Sequence, residues 1–247
     1  MLSQSELLQF SRHIILPEID IQGQEAIKSS HVLIIGLGGL GSPAAMYLAA
    51  AGVGEMTVVD NDLVETSNLQ RQIIHQTNTV GKSKTESARA AIESLSPYTK
   101  VNTISEKASR EVLGQFNSSN LTLALDCTDN FESRFLINEW SVANQIPLVS
   151  ATAVAFSGQL AVFNRKQEDA CYHCLYSNMD LPEGDCTDQG ILSPVVGTMG
   201  SLQATEALKL ILELEQPNGS FLLKYESLKT TFQKFKVPKD PNCSVCS

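Results

Sequence analysis

Basic residues are scarce in this 247-residue chain: 18 lysines and arginines stand against 27 aspartates and glutamates, a formal net charge of -9. General binding to nucleic acid or to an anionic membrane needs the opposite balance, which argues against both roles. No apolar run approaches the roughly 20 residues a spanning helix requires. The opening MLSQSELLQFSRH also lacks the apolar core of a signal peptide. A cytoplasmic location is the expectation. No internal repeat or low-complexity segment interrupts the chain. Cysteine is sparse, at six, and in a reducing compartment such thiols are ligands or nucleophiles rather than disulfides. With 43% apolar and 18% charged residues, the chain reads as globular and of single-domain size, able to bury about 70–75% of its unfolded surface.

What is present is organised around Val32 to Asp60. Val32 to Ile35 is a β-branched run suited to a strand buried on both faces of a parallel sheet. Gly36, Gly38, Gly39 and Gly41 follow it, then Ser42 as a candidate N-cap and Pro43 in the first turn of a helix through Ala51. Met56 to Val59 is a second apolar strand, ending in Asp60. Strand, glycine turn, helix, strand and acid form the context in which a glycine motif reads as nucleotide binding. The glycines admit a phosphate, the helix N-terminus faces it with free N–H groups, and the acid accepts from ribose hydroxyls.

The N-terminal stretch Ser5 to Ile15 has helical spacing and carries Arg12, which on sequence alone reads as a solvated charge. A short helix over Gln22 to Lys28 follows. Beyond Asp60, a long polar loop places Asn68, Gln70, Arg71 and Lys84 just past the acidic strand end. Those cations suit a triphosphate better than a dinucleotide, which carries less charge. Ser83 and Glu86 form a capping-box pattern opening a helix from Lys84 to Leu95. A strand over Lys100 to Ile104 and a helix over Ser109 to Phe116 come next. A third buried strand, Leu121 to Leu125, runs into Asp126-Cys127-Thr128-Asp129-Asn130. Loops at the carboxyl ends of parallel strands bind ligands in doubly wound sheets, so Asp60 and Asp129 should open onto one crevice. Asp129 there is either a cap for the helix Phe131 to Asn144 or a Mg²⁺ ligand beside a polyphosphate.

Strands over Pro147 to Val154 and Gln159 to Phe163, with Gly158 as the turn, lead to two C-x-x-C pairs: Cys171 with Cys174, and Cys243 with Cys246. Together they predict a closed, structural tetrathiolate zinc site. Between them lie a polar, mobile-looking stretch from Ser177 to Gly190 and a helix from Val195 to Leu214, in which Gly197, Gly200 and Ala204 allow close packing. Cys186 sits among Glu183, Asp185 and Asp188, with no local cation to lower its pKa; an incidental surface thiol is an open reading. Phe221 to Tyr225 and Thr230 to Lys236 predict a closing antiparallel hairpin. The expected fold is α/β, a Rossmann-like doubly wound, mainly parallel sheet extended by antiparallel strands, forming one domain over 1–247. An N-terminal helical arm covers 1–29, a nucleotide-binding half 30–165 and a zinc-stapled half 166–247.

The segments Arg12 to Pro17 (RHIILP), Gly36 to Gly41 (GLGGLG), Ser67 to Gln72 (SNLQRQ), Asp126 to Asn130 (DCTDN) and the paired cysteines resemble the ubiquitin-activating-enzyme-like superfamily, with its ThiF, MoeB and HesA branches. The likeness spans nearly the whole chain. Ala153 to Leu160 and the acidic stretch before Cys186 resemble the thiamine-linked ThiF branch more than the molybdopterin-linked MoeB branch. His13 and His173 depart from the usual glutamine and arginine. The resemblance implies ATP-dependent adenylation of the C-terminal Gly-Gly carboxylate of a ubiquitin-fold sulfur-carrier protein, with a persulfide sulfur donor then displacing AMP. It implies that Gly36, Gly38, Gly39 and Gly41 approach the nucleotide and that Asp60 takes the ribose. Ser67, Asn68, Leu69, Gln70, Arg71, Lys84 and Asn130 would border or hold the phosphates, and Asp129 would hold Mg²⁺. Arg12 would reach into the partner's site of a homodimer, and Cys186 would link to the carrier terminus. The implied cofactors are ATP, Mg²⁺ and Zn²⁺. Two other classes stay open: an NAD-dependent oxidoreductase, which leaves Arg71, Lys84 and Asp129 without a task, and an adaptor that binds a carrier without chemistry.

Overall fold

The sheet is centred on β1 (His31–Ile35), whose side chains alternate between two cores. The computed structural model describes residues 1–163, 166–176, 190–214 and 219–247. β1 lies between β2 (Glu55–Val59) and β4 (Leu123–Asp126), with β3 (Lys100–Ile104) outside β2 and β5 (Leu148–Val154) outside β4. These pairings are all parallel. β6 (Ser157–Phe163), β7 (Phe221–Glu226) and β8 (Thr231–Lys236) then extend the sheet as antiparallel neighbours, giving the eight-stranded order 3-2-1-4-5-6-7-8. The predicted hairpin is β7 and β8.

Val32 and Ile34 face one core with α4 (Gly41–Ala51), α5 (Lys84–Leu95) and α9 (Ser193–Ile211); Leu33 and Ile35 face the other with α6 (Arg110–Leu113) and α7 (Phe131–Ala143). A strand buried on both faces cannot alternate with polar residues, which is why β1 reads as a continuous apolar run. Each such side chain removed from water contributes about 1.5–3 kcal/mol. Strand order reverses between β1 and β4, so the chain leaves the two strands in opposite directions and opens a crevice at their carboxyl ends.

Local departures from the sequence-based expectation have identifiable causes. The predicted N-terminal helix is broken into α1 (Gln4–Gln9) and α2 (Ser11–Ile14), because Phe10 turns inward and is buried; α3 (Asp20–Ser29) follows. Ser42 is not the cap of α4. The helix already starts at Gly41, and the Ser42 hydroxyl donates to the Leu37 carbonyl at 3.4 Å. Ser83 does cap α5, accepting from Glu86 N–H at 3.3 Å, but the Glu86 carboxylate turns to Arg89 and Thr103. Gly158 lies inside β6, paired with Ala153. The turn comes at Ala155, whose φ is 51°. A Cβ at Gly158 would sit 2.4 Å from Met199 of α9, so the glycine serves helix-on-sheet packing and not chain reversal.

Candidate active site

The glycine turn closes against β4 with no room to spare. Gly36 has φ of 94°, a left-handed value that favours glycine, and a Cβ there would lie 2.7 Å from the Cys127 carbonyl. A Cβ on Gly41 would be 1.9 Å from the Gly36 carbonyl, so Gly41 supports the turn from behind. The result is a cavity of about 330 Å³ at the strand-order reversal. Gly36, Gly38 and Gly39 line one wall, Asp60, Arg71 and Lys84 a second, and Asp129, Asn130 and Arg134 a third.

Asp60 is tied into the turn: one carboxylate oxygen accepts from Leu37 N–H at 2.7 Å and the other from Asp62 N–H at 2.9 Å. Burial raises its pKa above the ordinary carboxylate value, opposed by the nearby Lys84 charge. Lys84 is buried in the first turn of α5, and its Nζ donates to exposed Asp62 at 2.7 Å. Both side chains line the cavity, so the Lys84 charge there is paired with a carboxylate. Arg71 is half-buried, and its guanidinium donates to the Ser67 carbonyl at 3.2 Å.

The third wall rests on a buried polar base. Asp126, fully buried, accepts from Thr128 N–H at 3.1 Å, Thr128 Oγ1 at 2.7 Å and Ser150 Oγ at 2.7 Å. Arg134, in the first turn of α7, donates to the Thr128 carbonyl at 2.7 Å. Gln203 of α9 donates to the carbonyls of Asp126 and Val149, at 2.9 and 3.2 Å, pinning the ends of β4 and β5. Cys127 lines the cavity, but its thiol contacts Gln203 Oε1 at 3.4 Å and burial pushes its pKa up, so it stays protonated. The cap of α7 is Asn130, which accepts from Ser133 N–H at 2.9 Å. Asp129 is therefore not committed to capping; it is exposed at the cavity mouth, accepting from Asn130 Nδ2 at 3.3 Å.

A second constellation lies where α7 packs against the next helix, with Tyr172 N–H donating to Asn138 at 2.8 Å. Cys171, at the start of α8 (Tyr172–Tyr176), and Cys174 within it meet Cys243 and Cys246 with all four sulfurs within 4.8 Å of one another. The close pairs are 3.9 Å (Cys171–Cys174), 3.7 Å (Cys171–Cys243) and 3.5 Å (Cys174–Cys246). A tetrahedral ion with metal–sulfur bonds near 2.3 Å spaces its ligands by about 3.8 Å, so the donor set fits a thiolate-bound metal. Asp240 N–H points at Cys174 Sγ, 3.5 Å away. The described cysteines form no disulfide.

The ThiF family model matches residues 10–245. The chain belongs to the ThiF family. Among its relatives, the molybdopterin-synthase adenylyltransferase of Escherichia coli (strain K12) is 41% identical over 248 residues, covering 99% of this chain and 98% of that protein. The sulfur carrier protein ThiS adenylyltransferase of the same organism is 38% identical over 245 residues, covering 99% and 97%. The crystal structure of E. coli MccB with MccA-N7isoASN shares the fold, with a TM-score of 0.84 at 22% identity over 97% of this chain and 75% of that one.

Of the ThiF-type site residues read from the sequence, Gly36, Gly38, Gly39, Asp60, Gln70, Arg71, Lys84, Asp129 and Asn130 line the one cavity. Ser67, Asn68 and Leu69 do not line it. The Asn68 side chain is buried in its own turn, where Oδ1 accepts from Glu65 N–H at 3.2 Å. Arg12 is exposed on α2 and lies outside this chain's cavity. Cys186, with its acidic neighbours and the stretch read as mobile, falls almost wholly within 177–189, outside the described residues. Sequence reasoning missed Gln72, Lys107, Ser133 and Arg134, which also line the cavity. Position could have flagged Lys107, which follows the third strand, because doubly wound sheets bind ligands at carboxyl ends. Among the described residues no helix is long and apolar enough to cross a membrane.

Proposed function

We propose that the cavity binds ATP with Mg²⁺ and activates the C-terminal Gly-Gly carboxylate of a ubiquitin-fold sulfur-carrier protein. The observation that carries this reading is the convergence of the glycine turn, Asp60, Arg71, Lys84 and Asp129 on one cavity. Asp60 takes the ribose. Arg71 and Lys84 hold the phosphates, with Asn68 supporting the loop that bears Arg71. Asp129 holds Mg²⁺, an oxygen-seeking cation that neutralises polyphosphate charge. A carrier carboxylate oxygen attacks the α-phosphorus, the bond to the β-phosphate oxygen breaks, and pyrophosphate leaves with the electron pair. A persulfide sulfur then attacks the acyl carbon and AMP departs, on the way to a carrier thiocarboxylate. Two anions must meet, so positioning and charge neutralisation supply most of the rate. An NAD-dependent oxidoreductase would leave this cation set without a task.

The tetracysteine centre takes Zn²⁺ in this reading, with four thiolates and no open position for catalysis. Exposed Arg12 completes the site of a second copy in a homodimer. Mixing Arg12→Ala with Asp129→Ala subunits should then restore one working site per heterodimer. A mixture no better than either parent, with subunit exchange verified, removes that role. The thiamine-type carrier is the preferred partner, on the character of Ala153 to Leu160; the slightly higher identity to the molybdopterin-synthase enzyme favours the other carrier. Carrier-dependent ATP–pyrophosphate exchange with each carrier in turn tests both. Exchange with neither, or NADH turnover instead, would overturn the proposal.

A further inference from the structure

Leu37 is held by both of its backbone polar groups, and from opposite sides. Its N–H donates to Asp60 Oδ2 at 2.7 Å, and its carbonyl faces His75 Nε2 at 3.1 Å. A trans peptide aims its C=O and N–H in opposite directions. The Leu37 carbonyl drawn to His75 therefore turns the Gly38 N–H away from the histidine, and Gly38 lines the cavity. His75 is buried, and its Nδ1 meets Ser87 Oγ on α5 at 2.9 Å, one helical turn beyond Lys84. Burial, aided by the Lys84 charge, lowers its pKa to about 4, so the ring is neutral at neutral pH. A neutral imidazole has one N–H, and the Leu37 carbonyl can only accept, so the proton belongs on Nε2.

We infer that His75 is a positioning residue, which locks the Leu37–Gly38 peptide with its N–H toward the nucleotide phosphates and ties that peptide to the helix bearing Lys84. Without this clamp only the longer Ser42 hydroxyl contact, at 3.4 Å, restrains the Leu37 carbonyl, and a flipped peptide would present that carbonyl to the polyphosphate. This would convert an attractive group into a repulsive one at the most anionic part of the ligand. His75 touches no substrate; it acts through the glycine turn and α5. The inference rests on the ATP reading of the cavity.

Two substitutions separate positioning from bulk. The amide nitrogen of His75→Gln can take the place of Nε2 and still donate to Leu37; that of His75→Asn stands nearer Nδ1 and cannot reach the carbonyl. Both remove the ring and should lower the melting temperature. With the full chain held below both transitions, ATP binding is measured by equilibrium titration and ATP–pyrophosphate exchange by steady-state kinetics. His75→Asn should weaken ATP about tenfold or more, as for loss of one hydrogen bond to a charged group, and raise the KM for ATP without raising that for the carrier. His75→Gln should stay within about threefold of wild type. Wild-type ATP affinity in His75→Asn, or equal losses in both variants, would overturn the clamp. A wild-type chain that binds no ATP would overturn the nucleotide reading itself, and the clamp with it.

Discussion

Asp129 and Asn130 are adjacent, yet the fold separates their work: Asn130 is consumed in capping α7, and Asp129 is left at the cavity mouth. Arg71→Ala and Asp129→Ala should each cut carrier-dependent pyrophosphate exchange by about 10²–10³-fold, the scale of losing one group that meets developing charge; near-normal exchange in either would remove its assignment. Glu6 offers a test at acid pH. The Lys28 ammonium 2.6 Å away and Ser3 N–H lower its pKa from 4.5 to about 2. A depressed folded-state pKa stabilises above the unfolded value and loses that contribution as pH falls from about 4.5 toward 2. Melting temperatures of Glu6→Gln should therefore be lower than wild type at neutral pH and converge with it near pH 2. At this scale, legibility follows motif context. Asp60, Arg71 and Lys84 can be read from spacing against strand ends. His75 and Gln72 cannot, because they sit in a loop with no period, and only the folded turn reveals their partners.

Helix α9 crosses α4 so closely that one glycine is needed and another is not. A Cβ at Gly200 would lie 2.3 Å from the Leu40 carbonyl and 2.5 Å from Pro43 Cγ, whereas at Gly197 nothing lies within 4 Å. Denaturant unfolding should show Gly200→Ala destabilised by about 1–3 kcal/mol. Gly197→Ala should be neutral or stabilised by up to about 1 kcal/mol from helix propensity. Equal midpoints for the two variants would contradict this packing account. In the sequence these glycines look equivalent, because helical spacing cannot tell which side approaches a backbone. The bounds of α5 and β3 are legible, since Ser83 caps the helix and Pro97 separates it from the β-branched Val101, Thr103 and Ile104. The start of β6 is not, because Gly158 looks like a turn residue until Met199 is placed above it.

Across the whole molecule, four cysteines far apart in sequence close one centre, and their C-x-x-C spacing makes that closure legible from the sequence alone. Elemental analysis of protein purified without chelators should find about one zinc per chain. Cys243→Ser should lose the metal and melt earlier, with ATP binding disturbed only indirectly; a full complement of zinc in Cys243→Ser would displace it from the centre. The same centre has a mechanical consequence. The 68 residues between Cys174 and Cys243 form a closed circuit while the thiolates share an ion. A chain pulled by its two ends would transmit load across the metal and leave α9 and the β7–β8 hairpin slack. Stretching with metal bound should fall short of the metal-free extension by roughly 240 Å of contour, the reach of the bypassed segment. That length should be released when both metal–sulfur bonds of one C-x-x-C pair have ruptured, and the release should vanish in chelator.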